Sequence, residues 1–76
     1  MKKFQAKFRT KYITTKSGQA KIRVFFQGTR YKTFNYDYEL SAKENHFEAL
    51  KKVTDANIEL IENTGDIYKF LGTWEI

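Results

Sequence analysis

Residues 3 to 14 read KFQAKFRTKYIT, and their alternation decides the fold. The even positions carry Phe4, Ala6, Phe8, Thr10 and Tyr12, and the odd positions carry Lys3, Gln5, Lys7, Arg9 and Lys11. A period of two belongs to an extended strand with one buried face, because successive side chains of a strand point to opposite sides. Every basic residue of this strand therefore shares its polar face. The reading predicts a first strand over about 3–14.

The pattern repeats downstream. Thr15, Lys16, Ser17 and Gly18 supply turn residues, and a second strand over about 19–27 puts Ala20, Ile22, Val24 and Phe26 on one side. Lys21, Arg23, Phe25 and Gln27 occupy the other. A tight turn at Gln27, Gly28 and Thr29, with Gly28 at positive φ, leads to a third strand over about 30–38. In that strand Phe34, Tyr36, Tyr38 and Leu40 share a parity with Arg30 and Lys32. Strict alternation sends the two cations towards the core side. Either they lie beyond the cover of the helix, or a bulge near Lys32 or Thr33 turns Tyr31 inward.

Ser41-Ala42-Lys43-Glu44 has the S-x-x-E form of a capping box and predicts a helix over about 42–62. Its apolar stripe runs through Phe47, Leu50, Val53 or Thr54, Asn57 or Ile58, and Ile61, and Gly65 is placed as a left-handed cap near its end. A helix of about twenty residues spans ~30 Å, enough to cross a three-stranded sheet. From 67 to 75 the alternation returns with Tyr68, Phe70, Gly72 and Trp74, which predicts a fourth strand or a return segment packed on the core. The expected architecture is α+β: a three- to four-stranded antiparallel sheet with one long amphipathic helix on one face, in the order β-β-β-α-β, as a single domain over 1–76.

A chain of 76 residues has a thin core, which seven Phe, five Tyr and one Trp fill with large apolar rings. Cysteine is absent and histidine occurs once, so no disulfide framework and no thiolate or imidazole cluster for a metal is expected. No apolar stretch follows the basic start MKKFQAKFR, and a soluble protein of the cytoplasm, without contact to membranes, is expected. Asp37 and Glu39 stand two apart on one strand face but lack a third metal ligand, and His46 is read as surface or half-buried packing. With no Ser/His/Asp or Cys/His set and no phosphate loop, no enzymatic activity, cofactor or small-molecule substrate is expected.

Charge is distributed unevenly. From Met1 to Leu40 ten Lys and Arg stand against two acids, a net of +8, whereas from Ser41 to Ile76 four Lys stand against seven acids, a net of −3. Such asymmetry points to nucleic acid or another anionic surface, since cations near phosphates release condensed counterions. The strand parities place Lys3, Lys7, Arg9, Lys11, Lys21 and Arg23 on the sheet face away from the helix, with Phe25 among them as a ring able to stack on a base. Phe25 covered by the C-terminal segment is the competing placement.

Ser17, Gly18, Ala20, Ile22, Gly28, Arg30 and Ala49, within a strand, Gly turn, aromatic strand and helix from about Lys7 to Ala56, carry a resemblance. The segment resembles the sheet-reading DNA-binding domains of plant ethylene-responsive transcription factors and of the N-terminal arm of phage tyrosine integrases. It departs from them in having no Trp in the first two strands and a longer third strand. The resemblance implies a sheet lying in the major groove, with Arg9, Lys21, Arg23, Arg30 and Lys32 contacting bases or phosphates. The expected function is that of a small basic protein that binds nucleic acid, DNA in preference to RNA, through Lys3, Lys7, Arg9, Lys11, Lys21, Arg23, Phe25, Arg30 and Lys32. The alternative is a small phage-type regulator or inhibitor that sets the same basic face against an acidic protein or nucleoprotein.

Overall fold

The computed structural model describes residues 2–27 and 30–75. Its elements run β1 (Lys3–Thr14), β2 (Ala20–Gln27), β3 (Arg30–Asn35), α1 (Ala42–Lys51), β4 (Asn57–Asn63) and β5 (Ile67–Glu75). The strands form one antiparallel sheet in the order β3-β2-β1-β5-β4, with the helix against β2 and β1. The α+β class and the antiparallel sheet agree with the sequence reading; the strand count does not. Among the described residues there are five strands and the helix is short, so the order is β-β-β-α-β-β.

The difference arises at residues 52–63. Lys52 caps the helix, its N–H donating to Ala49 O at 3.3 Å while Val53 N donates to Leu50 O at 3.0 Å, and Thr54 Oγ1 then accepts from Ala56 N at 3.2 Å to turn the chain. Val53, Ile58 and Ile61 satisfy a helical spacing, but Ile58 and Leu60 also satisfy a spacing of two, with Asn57 and Glu59 between them. Pairing with β5 decides between the two, because Ile58 opposite Gly72 and Leu60 opposite Phe70 extend the apolar face of a sheet that is already formed. A bulge between Leu60 and Glu62 leaves Ile61 exposed. Gly65 does take a left-handed φ of 82°, but in the β4–β5 turn, where Asn63 Oδ1 accepts from its N–H at 3.0 Å. At ten residues the helix is ~15 Å long and does not cross the sheet.

The N-terminal boundary of the helix is as expected. Ser41 accepts from Glu44 N at 3.2 Å while Glu44 Oε1 accepts from Ser41 N at 3.4 Å, a reciprocal capping box. Ser41→Ala is expected to lower stability by about 0.5–2 kcal/mol, and Ser17→Ala in the exposed β1–β2 turn by much less; equal losses in denaturant unfolding would show the cap to be unimportant.

Phe8, Ile22, Val24, Leu50, Tyr68 and Phe70 make the core. Trp74 packs edge-on to Phe8 with ring centroids 6.1 Å apart and donates from Nε1 to Asp55 at 2.9 Å, so the C-terminal segment is a paired strand inside the sheet. Gly72 makes room for this arrangement, since a Cβ there would fall 2.5 Å from the Phe8 ring. Two polar residues are enclosed by the same core: Thr10 Oγ1 lies 2.6 Å from His46 Nδ1, and the imidazole stacks on Tyr68 at 3.9 Å. His46 is therefore core, and the surface or half-buried placement is corrected: its position on the helix faces Thr10, whose hydroxyl satisfies it.

The third strand ends at Asn35, three residues short of expectation. Buried Asn45 takes over there, accepting from Asp37 N at 2.7 Å and donating from Nδ2 to the carbonyl oxygens of Asp37, Leu40 and Ser41. Asp37 and Glu39 thus lie in a loop and not on a strand face, with Asp37 Oδ1 accepting from Glu39 N at 2.9 Å. Among the described residues no helix is long and apolar enough to cross a membrane.

Candidate nucleic-acid interface

Register fixes what shares the face away from the helix. Arg9 pairs with Phe25, Phe25 with Tyr31, and on its other side Arg9 pairs with Lys69. The next row sets Ile67, Lys11, Arg23 and Thr33 side by side, and the row beyond it Ile13, Lys21 and Asn35. Directly opposed residues in an antiparallel sheet stand on the same face with Cβ atoms about 4.5–5.5 Å apart. Lys7, Arg9, Lys11, Lys21 and Arg23 are thereby gathered on β1 and β2 as their parities predict.

Two rings organise the cations. The Arg9 guanidinium lies over Phe25, its Cζ 4.4 Å from the centroid, and that of Arg23 lies over Tyr31 at 4.3 Å. Phe25 and Tyr31 touch each other with centroids 5.7 Å apart. The result is a continuous stack of Arg9, Phe25, Tyr31 and Arg23 across three strands. Arg23 Nε is buried without a hydrogen-bond partner, so this group is held by the ring and its packing. Stacking keeps each guanidinium plane fixed and leaves its outer N–H donors free, an arrangement suited to planar acceptors and phosphates.

Like charges also face each other. Lys11 opposes Arg23 and Arg9 opposes Lys69, and cross-strand pairs of one sign are destabilising. Acids on the same face lie to one side, on the β4–β5 half: Glu59 opposite Leu71, Glu62 within 3.4 Å of Lys69, and Glu75 within 3.7 Å of Lys3. Lys21 Nζ donates to Asn35 Oδ1 at 2.9 Å. Among the described residues Lys7, Arg9, Lys11, Lys21 and Arg23 have no acidic partner within ion-pair distance. The positive region is a stripe along the β1–β2 hairpin, bounded by an acidic border. A groove beside it is lined by Lys7, Arg9, Phe25, Ile61, Glu62 and Lys69.

Three expected site residues fall outside this stripe. Lys3 sits at the far end of β1 in its pair with Glu75. Lys32 opposes Val24 and so projects from the helix side, exposed because the short helix leaves β3 uncovered; Arg30 shares its parity. The bulge considered near Lys32 or Thr33 lies instead in β2, between Phe25 and Gln27, and leaves Tyr31 half exposed on the open face. The turn expected at Gly28 and Thr29 falls outside the described residues, as does the side chain of Gln27. Phe25 is covered by Arg9 and Tyr31 and not by the C-terminal segment, which lies on the other side of β1.

Tyr31 and Lys69 were missed in the sequence. The parity of β3 contained the first, since Tyr31, Thr33 and Asn35 alternate with Lys32 and Phe34. Lys69 required knowing that β5 pairs with β1. No family model matches the chain, and neither a curated protein nor a solved structure matches it.

Proposed function

We propose that this is a small nucleic-acid-binding protein that sets the β1–β2 face of its sheet against DNA. The observation that supports it is the stripe itself: five cations without acidic partners among the described residues, with Lys11 opposed to Arg23 and with Arg9 and Arg23 held over stacked rings. An arrangement of this kind stores repulsion that phosphates relieve, whereas a solubilising surface mixes signs. The basic residues lie together on one hairpin, β1–β2, within the five-stranded sheet. Of the contacts implied by the likeness to sheet-reading DNA-binding domains, Arg9, Lys21 and Arg23 lie on this face and are proposed as its readers, with Lys7 and Lys11 on phosphates, whereas Arg30 and Lys32 lie on the helix side.

Fluorescence anisotropy with labelled random duplex and single strands tests the proposal. Affinity is expected to fall linearly with salt on logarithmic axes, and Lys7→Glu, Arg9→Glu and Lys21→Glu each to weaken binding and lower the slope by about one unit. Lys51→Glu or Lys52→Glu on the helix side is expected to do much less. Phe25→Ala removes the platform beneath Arg9, so the loss is expected on duplex and single strands alike. Lys11→Gln separates function from fold: it relieves the repulsion with Arg23 and is expected to raise the unfolding midpoint while weakening binding. An absence of salt-sensitive affinity for any nucleic acid would assign the stripe to an acidic protein partner.

A further inference from the structure

At the end of the domain away from the groove beside Phe25, three tyrosines and a carboxylate line one pocket: Tyr12, Tyr36, Tyr38 and Asp66, with buried His46 at its inner side. Tyr12 and Tyr36 meet nearly at right angles, 88° between planes and 5.4 Å between centroids, and Tyr36 meets Tyr38 at 60° and 5.2 Å. Rings set at such angles form adjoining walls and not a single flat platform. Each wall is fixed by the backbone. Tyr36 N donates to Ala20 O at 3.3 Å, Tyr12 N donates to Asp66 O at 2.8 Å, and the Asn45 side chain grips Asp37, the residue between Tyr36 and Tyr38.

What distinguishes these rings is that the chain's own cations leave them alone. Phe25, Tyr31, Phe47 and Phe34 carry Arg9, Arg23, Lys43 and Lys52 respectively. Among the described residues none of the three pocket tyrosines carries a cation, and Asp66 is in no ion pair. Asp66 lines the same pocket as His46, whose imidazole feels its charge. No Lys or Arg lines this pocket. Aromatic faces attract cations through the ring quadrupole, most strongly where the cation is weakly hydrated, and a nearby carboxylate adds a net charge of the right sign.

We propose that the pocket formed by Tyr12, Tyr36, Tyr38 and Asp66 binds a quaternary ammonium group, as carried by choline or by a trimethylated lysine side chain. A trimethylammonium head offers methyl surface to the rings and a charge that needs no hydrogen-bond acceptor, which is what these walls supply. The site is separate from the basic stripe and of opposite preference, so it stands or falls independently of the nucleic-acid reading.

Titration of the intact protein with choline, with an N-acetylated trimethyllysine amide, and with 3,3-dimethylbutan-1-ol, the neutral isostere of choline, followed by tyrosine ring NMR shifts, tests this. Choline is expected to bind about tenfold more tightly than its neutral isostere, and the tighter of the two ammonium probes identifies the source of the group. Tyr38 is 77% exposed, so its replacement spares the core. Tyr38→Phe is expected to retain binding and Tyr38→Leu to lose it about tenfold, with Asp66→Asn weakening it severalfold. Equal binding of choline and the neutral isostere, unchanged affinity in Tyr38→Leu, or no shift of Tyr12, Tyr36 or Tyr38 with any ammonium probe would overturn the assignment.

Discussion

A chain cut after Asp66 is expected to show no cooperative unfolding transition. β5 is hydrogen-bonded on both sides, to β1 from Lys3 to Lys11 and to β4 from Asn57 to Asn63, so its loss splits the sheet and leaves β4 without a partner. It also brings Tyr68 and Phe70, 5% and 0% exposed, into the core. Truncating one buried Phe costs about 3–5 kcal/mol, against a total stability of about 5–15 kcal/mol for a domain. Two such rings and two ladders exceed that margin. Circular dichroism during heating checks the expectation; a retained sigmoidal melt in the shortened chain would show that β1 to β3 and the helix fold unaided.

Acid is expected to weaken the fold as the pH falls below about 6.5. Burial of His46 pushes its pKa down to about 4 from an ordinary value of 6.5, with Asp66 opposing the shift only in part. The folded state therefore holds a neutral imidazole, while the unfolded chain takes up a proton below about 6.5. Stability is fully present above that pH, declines by about 1.4 kcal/mol for each unit of fall, and levels off near pH 4, a loss of roughly 3 kcal/mol. The interval from about pH 6.5 to 5 spans the upper part of this decline. Urea unfolding across that interval, repeated with His46→Gln, makes the check. Flat stability in the parent protein, or an equal slope in the variant, would remove His46 from the account.

Legibility in the sequence followed the strength of local pattern. β1, β2 and β5 each have one buried face, and a spacing of two is unambiguous there. The capping box likewise has a local geometry, set by Ser41 and Glu44 alone. Residues 52–63 fit two periodicities, and only pairing with β5, a partner later in the chain, selects the strand. The cations of β1 and β2 were placed correctly because parity alone assigns a side. Lys32 lies on the helix side beyond the cover of the helix, one of the two placements its strand allowed, and so outside the face expected to bind. Tyr31 and Lys69 enter the site through neighbours on other strands, a relation that alternation within one strand does not contain. His46 gave no signal of burial until Thr10 stood opposite it.

The pairing of β1 with β5 also has a bearing on how the protein comes into being. Lys3 lies beside Glu75, so β1 leaves the ribosome well before β5 and waits for it before its second edge is occupied. At about 5–20 residues per second the nascent hairpin of β1 and β2 spends seconds with that edge open, and contacts so far apart in sequence form slowly. Throughout the interval, Lys3, Lys7, Arg9 and Lys11 crowd the exposed strand with positive charge. Charged side chains are what keep an unpaired edge from pairing with another copy of itself. Lys7 and Lys11, proposed to meet phosphate in the finished protein, thus act earlier as well, during synthesis, to hold nascent chains apart.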